Sequence, residues 1–298
     1  MVKFIRRFAM FPLLILEWIS SCYTFVLTGL SHTRPNFWLD RQSRKNDQIT
    51  REICHKNNLG ECRLTFYTPN WLCWDRASTF SVKEPETLSW IDEFGGAGAM
   101  FDIGANVGLY SLYYAKTKGG NAYAFEPAVF NLPILVKNIA INQLQSKISV
   151  IPLPLTQENG LRDFSQTTTI AGGAYSTYGV DFGWDGLPLA ATCQYKLLGC
   201  SLDFLLKTGL IKEVPTMIKL DVDGIEHLIL KGAAETLRHP TCRTVLVEIS
   251  KVFVYQRTEI KRILSTAGFI LDIDRLSDSL SDQSNPHTFN QLWVKPKV

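Results

Sequence analysis

Charge of one sign is what this 298-residue sequence most plainly lacks: 31 basic side chains meet 28 acidic ones, a formal net charge of +3. So small an excess gives no strong attraction to phosphate, which argues against a dedicated nucleic-acid binder. No C-x-x-C pair occurs among the seven cysteines, Cys22, Cys54, Cys62, Cys73, Cys193, Cys200 and Cys242. Their number is odd and the chain is long, so a secreted disulfide framework is not expected; free or buried thiols in a reducing, cytoplasmic compartment are. Cys54, His55, Cys62 and Cys73 are too widely spaced for a usual zinc knuckle, and no metal site is expected. Internal repeats and long low-complexity segments are missing as well. Apolar residues at 46% and charged residues at 20% are those of an ordinary globular protein, not of a disordered, collagen-like or polytopic membrane chain. A chain of this length buries ~75% of its unfolded surface and needs no disulfide or structural metal to fold.

One long apolar run is present. It extends from Phe8 to Leu30, is interrupted by Pro12 and Glu17, and has basic residues on both sides (Lys3, Arg6 and Arg7; Arg34, Arg41, Arg44 and Lys45). The basic start suits a signal peptide, but Ser20-Ser21-Cys22 leads into more apolar sequence instead of a convincing cleavage site. The length suffices for a membrane span, at a cost of ~3 kcal/mol for Glu17 near mid-bilayer. A helix with Glu17, Ser20 and Ser21 on its polar side, packed on the protein or lying on a membrane surface, is the favoured reading, and a single span is the alternative. The expected organisation is therefore an apolar helix with basic flanks at 1–35, an irregular region of short strands and loops at 36–82, and a catalytic domain at 83–298. Any membrane association, on the cytoplasmic side, would run through residues 8–30.

From Glu86 onward apolar strands alternate with helical patterns. Strands are expected at Ala99–Ile103, Asn121–Phe125, Ile148–Leu153, Thr216–Leu220, Thr244–Ile249, Phe269–Ile273 and Phe289–Val294. Helices are expected at Glu86–Phe94, Leu109–Lys116, Val129–Asn142, Ile225–Leu237 and Val254–Ala267, while residues 156–198 resist assignment. Such alternation implies an α/β fold, a mainly parallel sheet covered on both faces. Ligands of such sheets bind beyond the carboxyl ends of the strands.

The glycine-rich turn Phe101-Asp102-Ile103-Gly104-Ala105-Asn106-Val107-Gly108 follows the first of these strands. It is neither G-x-G-x-x-G nor G-x-x-x-x-G-K-[ST], and Asp102 just before it would repel a pyrophosphate. An acid beside a glycine turn suits a cationic ligand, such as a sulfonium that carries an α-amino group. Glu126 lies 22 residues beyond Gly104 at the end of the next strand, the spacing at which a carboxylate reaches both hydroxyls of a ribose.

F-D-I-G-A-N-V-G at 101–108, A-F-E-P at 124–127, I-K-L-D-V-D-G-I-E at 218–226, L-K-G-A at 230–233, V-L-V-E-I at 245–249 and N-Q-L-W-V at 290–294 together resemble the FkbM family of S-adenosylmethionine-dependent methyltransferases. The resemblance spans roughly Lys83 to Val294. It implies a Rossmann-like class I methyltransferase fold, with a seven-stranded, mainly parallel sheet that ends in an antiparallel excursion. It also implies methyl transfer, most often to a hydroxyl of a sugar or natural product. Asp102, Gly104, Asn106 and Gly108 would then hold the methionine part of the donor, and Glu126 its ribose. Members commonly have D-V-E-G where this chain has Asp221-Val222-Asp223-Gly224, so the reach of the second acid differs.

Methyl transfer to a hydroxyl needs a base near the transferred group. Asp221, at a strand end, is the first candidate, Glu226 the second, and Glu248 stands behind them; His287 is a further option. Asp221 or Asp223 could instead cap the helix that follows, and His227 reads as a packed or surface residue. Asp221 and Asp223 also form a D-x-D pattern, which admits a metal-dependent glycosyltransferase as the alternative enzyme class. A non-catalytic nucleoside-binding protein is the alternative outside enzymes. Tyr175, Tyr178, Phe182 and Trp184 are expected on the side of a small-molecule or glycan acceptor, sugar or lipid-linked.

Overall fold

The computed structural model describes residues 43–57, 60–96, 98–272 and 287–296, together with Ile15, Trp18, Ile19 and Cys22. The chain divides into two compact units, Met1–Ile49 and Thr50–Val298. The apolar stretch 8–30 falls, apart from those four residues, outside the described part. Among the described residues no helix is long and apolar enough to cross a membrane.

The second unit opens with an antiparallel hairpin, β1 (Thr50–Asn57) and β2 (Gly60–Tyr67), then α1 (Trp71–Lys83) and α2 (Pro85–Phe94). There follow β3 (Ala99–Ile103), α3 (Leu109–Lys118), β4 (Asn121–Phe125), α4 (Leu132–Ile141) and β5 (Ile148–Ile151). β6 (Gly160–Gln166), β7 (Ser176–Tyr178) and β8 (Cys193–Gly199) form a separate small sheet in the order β7-β6-β8. The chain continues through α5 (Leu202–Lys207), β9 (Pro215–Leu220), α6 (Glu226–Lys231), α7 (Ala234–Arg238), β10 (Thr244–Ser250), α8 (Val254–Thr266), β11 (Ile270–Leu271) and β12 (Thr288–Val294). The main sheet has the order β11-β12-β10-β9-β3-β4-β5, and β12 runs antiparallel to both its neighbours. This is the seven-stranded, Rossmann-like arrangement that the motifs implied.

The central strands are apolar almost throughout because both their faces are covered. Alternate residues feed two cores. Met100, Ala122, Ala124 and Met217 pack with the hairpin and α1–α4, whereas Phe101, Phe125, Ile218 and Val245 pack with α5–α8. Residues 50–82, expected as an irregular region ahead of the domain, belong to the same compact unit as the sheet. They are regular. α1 is capped by Asn70, whose side chain accepts from Cys73 N at 2.9 Å, and it buries Cys73, Ala77 and Phe80. The expected single helix Ile225–Leu237 is two helices, α6 and α7. The chain breaks at Gly232, which lies so close to the Thr156 carbonyl that a Cβ would collide with it.

Strand register positions the site. Ile103 pairs with Phe125 on one side and with Leu220 on the other, and Leu220 pairs with Val247. The next residue on each strand therefore stands in a row along the carboxyl edge: Glu126, Gly104, Asp221 and Glu248. Neighbours in that row are about 4.8 Å apart, the spacing of paired strands.

Candidate active site

The turn after β3 depends on backbone that side chains rarely adopt. Gly104 has φ +90° and Gly108 φ +89°, and Asn106 sits in the left-handed region at φ +50°. A Cβ on Gly104 would collide with the carbonyl oxygen of Asp221, so β3 and β9 can end side by side only with glycine here. One on Gly108 would fall 2.6 Å from Leu135 and 2.7 Å from Leu112, against α4 and α3.

The cavity at the carboxyl edge is lined by Gly104, Asn106, Glu126, Asp221, Asp223 and Glu248, among others. Asp102 and Gly108 do not line it. Asp102 is buried, and its Oδ2 accepts from Ser111 N at 3.0 Å and from Ser111 Oγ at 2.6 Å. It thereby ties the first turn of α3, where a negative charge is favoured. Its expected contact with the donor is thus replaced by support of the turn.

Glu126 is held from three directions. Asn106 N donates to Oε2 at 2.7 Å, while Ala128 N and Asn131 Nδ2 donate to Oε1 at 2.9 and 3.3 Å. Burial nevertheless outweighs these donors and pushes its carboxyl up to about 7. Asn106 also gives Nδ2 to Gly173 O at 2.7 Å. Its Oδ1 is buried with no partner among the described residues.

At the end of β9 the two candidate bases have other duties. Lys219, buried within the strand, places its Nζ 2.7 Å from Asp221 Oδ2, 3.7 Å from Glu84 Oε2 and 5.0 Å from the Tyr110 ring centre. Burial would raise the Asp221 carboxyl, but the Lys219 ammonium prevails and holds it below the ordinary range. A carboxylate so stabilised is a weak base. Glu226 is turned away from the cavity and into its own loop. It accepts from Val222 N at 3.0 Å, from Gly224 N at 3.1 and 3.2 Å, and from Gln256 Nε2 at 2.6 Å. That loop needs such support, because Asp223 has φ +61° and Gly224 φ +126°. Glu226 is therefore a positioning residue for the acidic loop.

Asp223 Oδ2 accepts from Tyr175 N at 2.7 Å and Ser176 N at 3.3 Å. Burial, then the charge of Asp221, lift its carboxyl to about 6. With Lys219 on one acid and backbone amides on the other, the D-x-D pattern is spent inside the protein, which removes the basis for a glycosyltransferase metal site. Glu248 is different. It faces the cavity at the end of the row, and burial followed by the like charges of Asp221, Asp223 and Glu226 raises its pKa well above the ordinary value.

The segment 171–178 crosses above these strand ends and contributes Tyr175 and Tyr178 to the lining. Phe182 and Trp184 do not reach the cavity. Phe182 packs on Phe253 and on His227, which is buried among aromatic rings, and Trp184 stacks on His287 at 6.0 Å. Burial drives the His227 imidazole down to about 4, as suits a packed residue. Three lining residues escaped the sequence reading: Arg76, Lys83 and Glu84, at the cavity-facing side and end of α1. All seven cysteines are free.

A donor with a ribose at one end and an amino acid at the other finds complementary groups in this cavity. Glu126 presents a fixed carboxylate for the diol, Asn106 Oδ1 is a buried acceptor without a partner, and acids lie beside a guanidinium at the far side. S-adenosylmethionine fits this set of residues. Residues 102–273, more than half of the chain, match the methyltransferase FkbM domain. The chain belongs to the FkbM methyltransferase family. No curated protein sequence matches it. Among solved structures, an FkbM methyltransferase from Methylobacillus flagellatus KT is similar at 16% identity and a TM-score of 0.44, over 67% of this chain and 44% of that one. This chain thus spans less than half the length of that FkbM protein. An rRNA methylase from Streptococcus thermophilus is similar at 13% identity and TM-score 0.43, over 71% of this chain and 95% of that one. TYW2 from M. jannaschii, solved in complex with AdoMet, is similar at 14% identity and TM-score 0.41, over 82% and 87%. Likenesses at this level leave the acceptor open.

Proposed function

We propose that this FkbM family member transfers the methyl group of S-adenosylmethionine to a hydroxyl of a sugar, glycan or natural product. The observation that carries the reading is the row of groups along the carboxyl edge. Glu126 stands at the ribose end, and Glu248 stands two strands beyond the glycine turn, open to the cavity. When bound, the donor supplies a methyl carbon activated by a sulfonium, with S-adenosylhomocysteine as the leaving group. The protein's task is then to hold the acceptor in line and to take up the hydroxyl proton. Glu248 suits that task, since its raised pKa brings its basicity toward working pH. Asp221, neutralised by Lys219, supplies a fixed negative charge beside the reacting carbon. Tyr175 and Tyr178 offer aromatic faces of the kind that sugar rings pack on.

The test is incubation with S-adenosylmethionine and a panel of mono- and oligosaccharides, with S-adenosylhomocysteine and methylated product followed by mass spectrometry. Glu248→Gln is expected to lower kcat by about 100-fold or more while donor affinity stays within twofold. Full turnover by that variant removes Glu248 as the base. Methylation of amines only, across the panel, overturns the hydroxyl reading.

A further inference from the structure

The cavity holds a cation that the family domain does not account for. Arg76 lies on α1, ahead of the matched residues 102–273. Its Nε donates to Gly172 O at 2.6 Å, which fixes the guanidinium against the crossing segment. That is the one hydrogen bond Arg76 makes among the described residues, so both Nη groups keep their donors. Five carboxylates line the same cavity, Glu84, Glu126, Asp221, Asp223 and Glu248, yet among the described residues none is ion-paired with Arg76. Its charge pulls down the carboxyls of Glu126, Asp221 and Asp223 alike, which puts it between the ribose end and the acidic end.

We propose that Arg76 anchors the α-carboxylate of S-adenosylmethionine. The inference rests on the donor reading above and deepens it. A guanidinium with its Nε already engaged presents its Nη atoms as a fork, and a planar carboxylate accepts such a fork with two parallel bonds. The α-ammonium of the same amino acid finds Asp221 and Asp223 across the cavity, so both charges of the zwitterion meet their opposites. The connections of Arg76 place it with the donor and not with the acceptor. Gly172 N donates to Asn131 Oδ1 at 2.8 Å, and Asn131 in turn donates to Glu126. The adjacent Gly173 accepts from Asn106 of the glycine turn. Guanidinium, turn and ribose carboxylate thus form one hydrogen-bonded group.

The experiment is calorimetric titration of the full chain and its Arg76→Gln and Arg76→Lys variants with S-adenosylhomocysteine, S-adenosylmethionine and 5′-methylthioadenosine. The last has the same nucleoside and no amino-acid end. Arg76→Gln is expected to bind the first two about 10- to 100-fold more weakly, the range for a lost hydrogen-bonded charge. Arg76→Lys should recover part of this, and 5′-methylthioadenosine should bind all three proteins within twofold. Equal weakening of all three ligands would show that Arg76 merely holds the 171–175 segment in place, and would overturn the proposal. Unchanged S-adenosylhomocysteine affinity, with KM rising for an anionic acceptor, would also overturn it and move Arg76 to the acceptor side. Failure of the wild type to bind either donor form would instead break the donor reading itself.

Discussion

Glu126 pays for its position with stability, and Glu126→Gln makes that visible. Burial lifts its carboxyl from 4.5 to about 7, which corresponds to roughly 3 kcal/mol against the charged form. The sign follows from proton counting. The unfolded chain releases this proton near 4.5 and the folded chain near 7, so between those values the folded state binds more protons. The destabilisation therefore grows as pH rises through that window and is complete above it. Glutamine escapes this cost but has a single acceptor oxygen, where Glu126 uses two for Asn106 N, Ala128 N and Asn131 Nδ2. Whichever way the amide lies, one buried N–H is left facing a donor, at about 1–3 kcal/mol. The variant should unfold at a lower temperature than wild type at pH 5 and at an equal or higher temperature at pH 8.5. Thermal unfolding of the ligand-free protein at constant ionic strength reads this directly, and the same Tm difference at both pH values refutes the reasoning.

Donor binding should show the complementary behaviour. A ribose diol donates to the ionised carboxylate, so wild-type affinity for S-adenosylhomocysteine should strengthen as pH rises toward and past 7. Glu126→Gln should bind about 10- to 100-fold more weakly and lose the part of the pH dependence that Glu126 carries. If the variant keeps the full wild-type slope, the titration belongs to Asp223 or Glu226, which burial raises to about 6 and about 7.

Three further outcomes are expected. Lys219→Met leaves Asp221 charged, buried and unpaired and should cost about 3–5 kcal/mol; the double variant with Asp221→Asn should recover much of that in denaturant unfolding. Gly104→Ala puts a Cβ onto the Asp221 carbonyl at a φ of +90°, and it should abolish soluble, folded protein or lower stability by several kcal/mol; a variant with wild-type Tm contradicts the turn geometry. His227→Phe should flatten the acid side of the stability profile. Because the folded imidazole protonates only at about 4, against 6.5 when unfolded, wild type loses stability as pH falls through that window, and the phenylalanine variant should not.

What the sequence made legible lies next to strand ends in chain order. β3 and its turn, Glu126 by its distance from Gly104, and the acids after β9 all declare themselves through short-range spacing. Lys219 carried a signal too: a lysine inside an apolar strand needs a partner, and alternation puts Asp221, two residues on, on the same face. The roles of these residues were harder, because orientation depends on backbone that spacing does not encode. Glu226 faces its own loop only because Asp223 and Gly224 adopt positive φ. The least legible parts were α1, whose buried Cys73, Ala77 and Phe80 are diluted by the half-buried Trp74 and exposed Trp71, and the 171–176 segment, which has no period at all. Those two parts meet over the cavity, where Arg76 bonds Gly172 and Asp223 bonds Tyr175. Only the first of them lies wholly outside the matched family domain. The strand ends therefore supply what any donor-binding sheet of this type requires, while α1 and the crossing segment hold the features particular to this chain. Substitutions that distinguish its substrates from those of other family members should concentrate there.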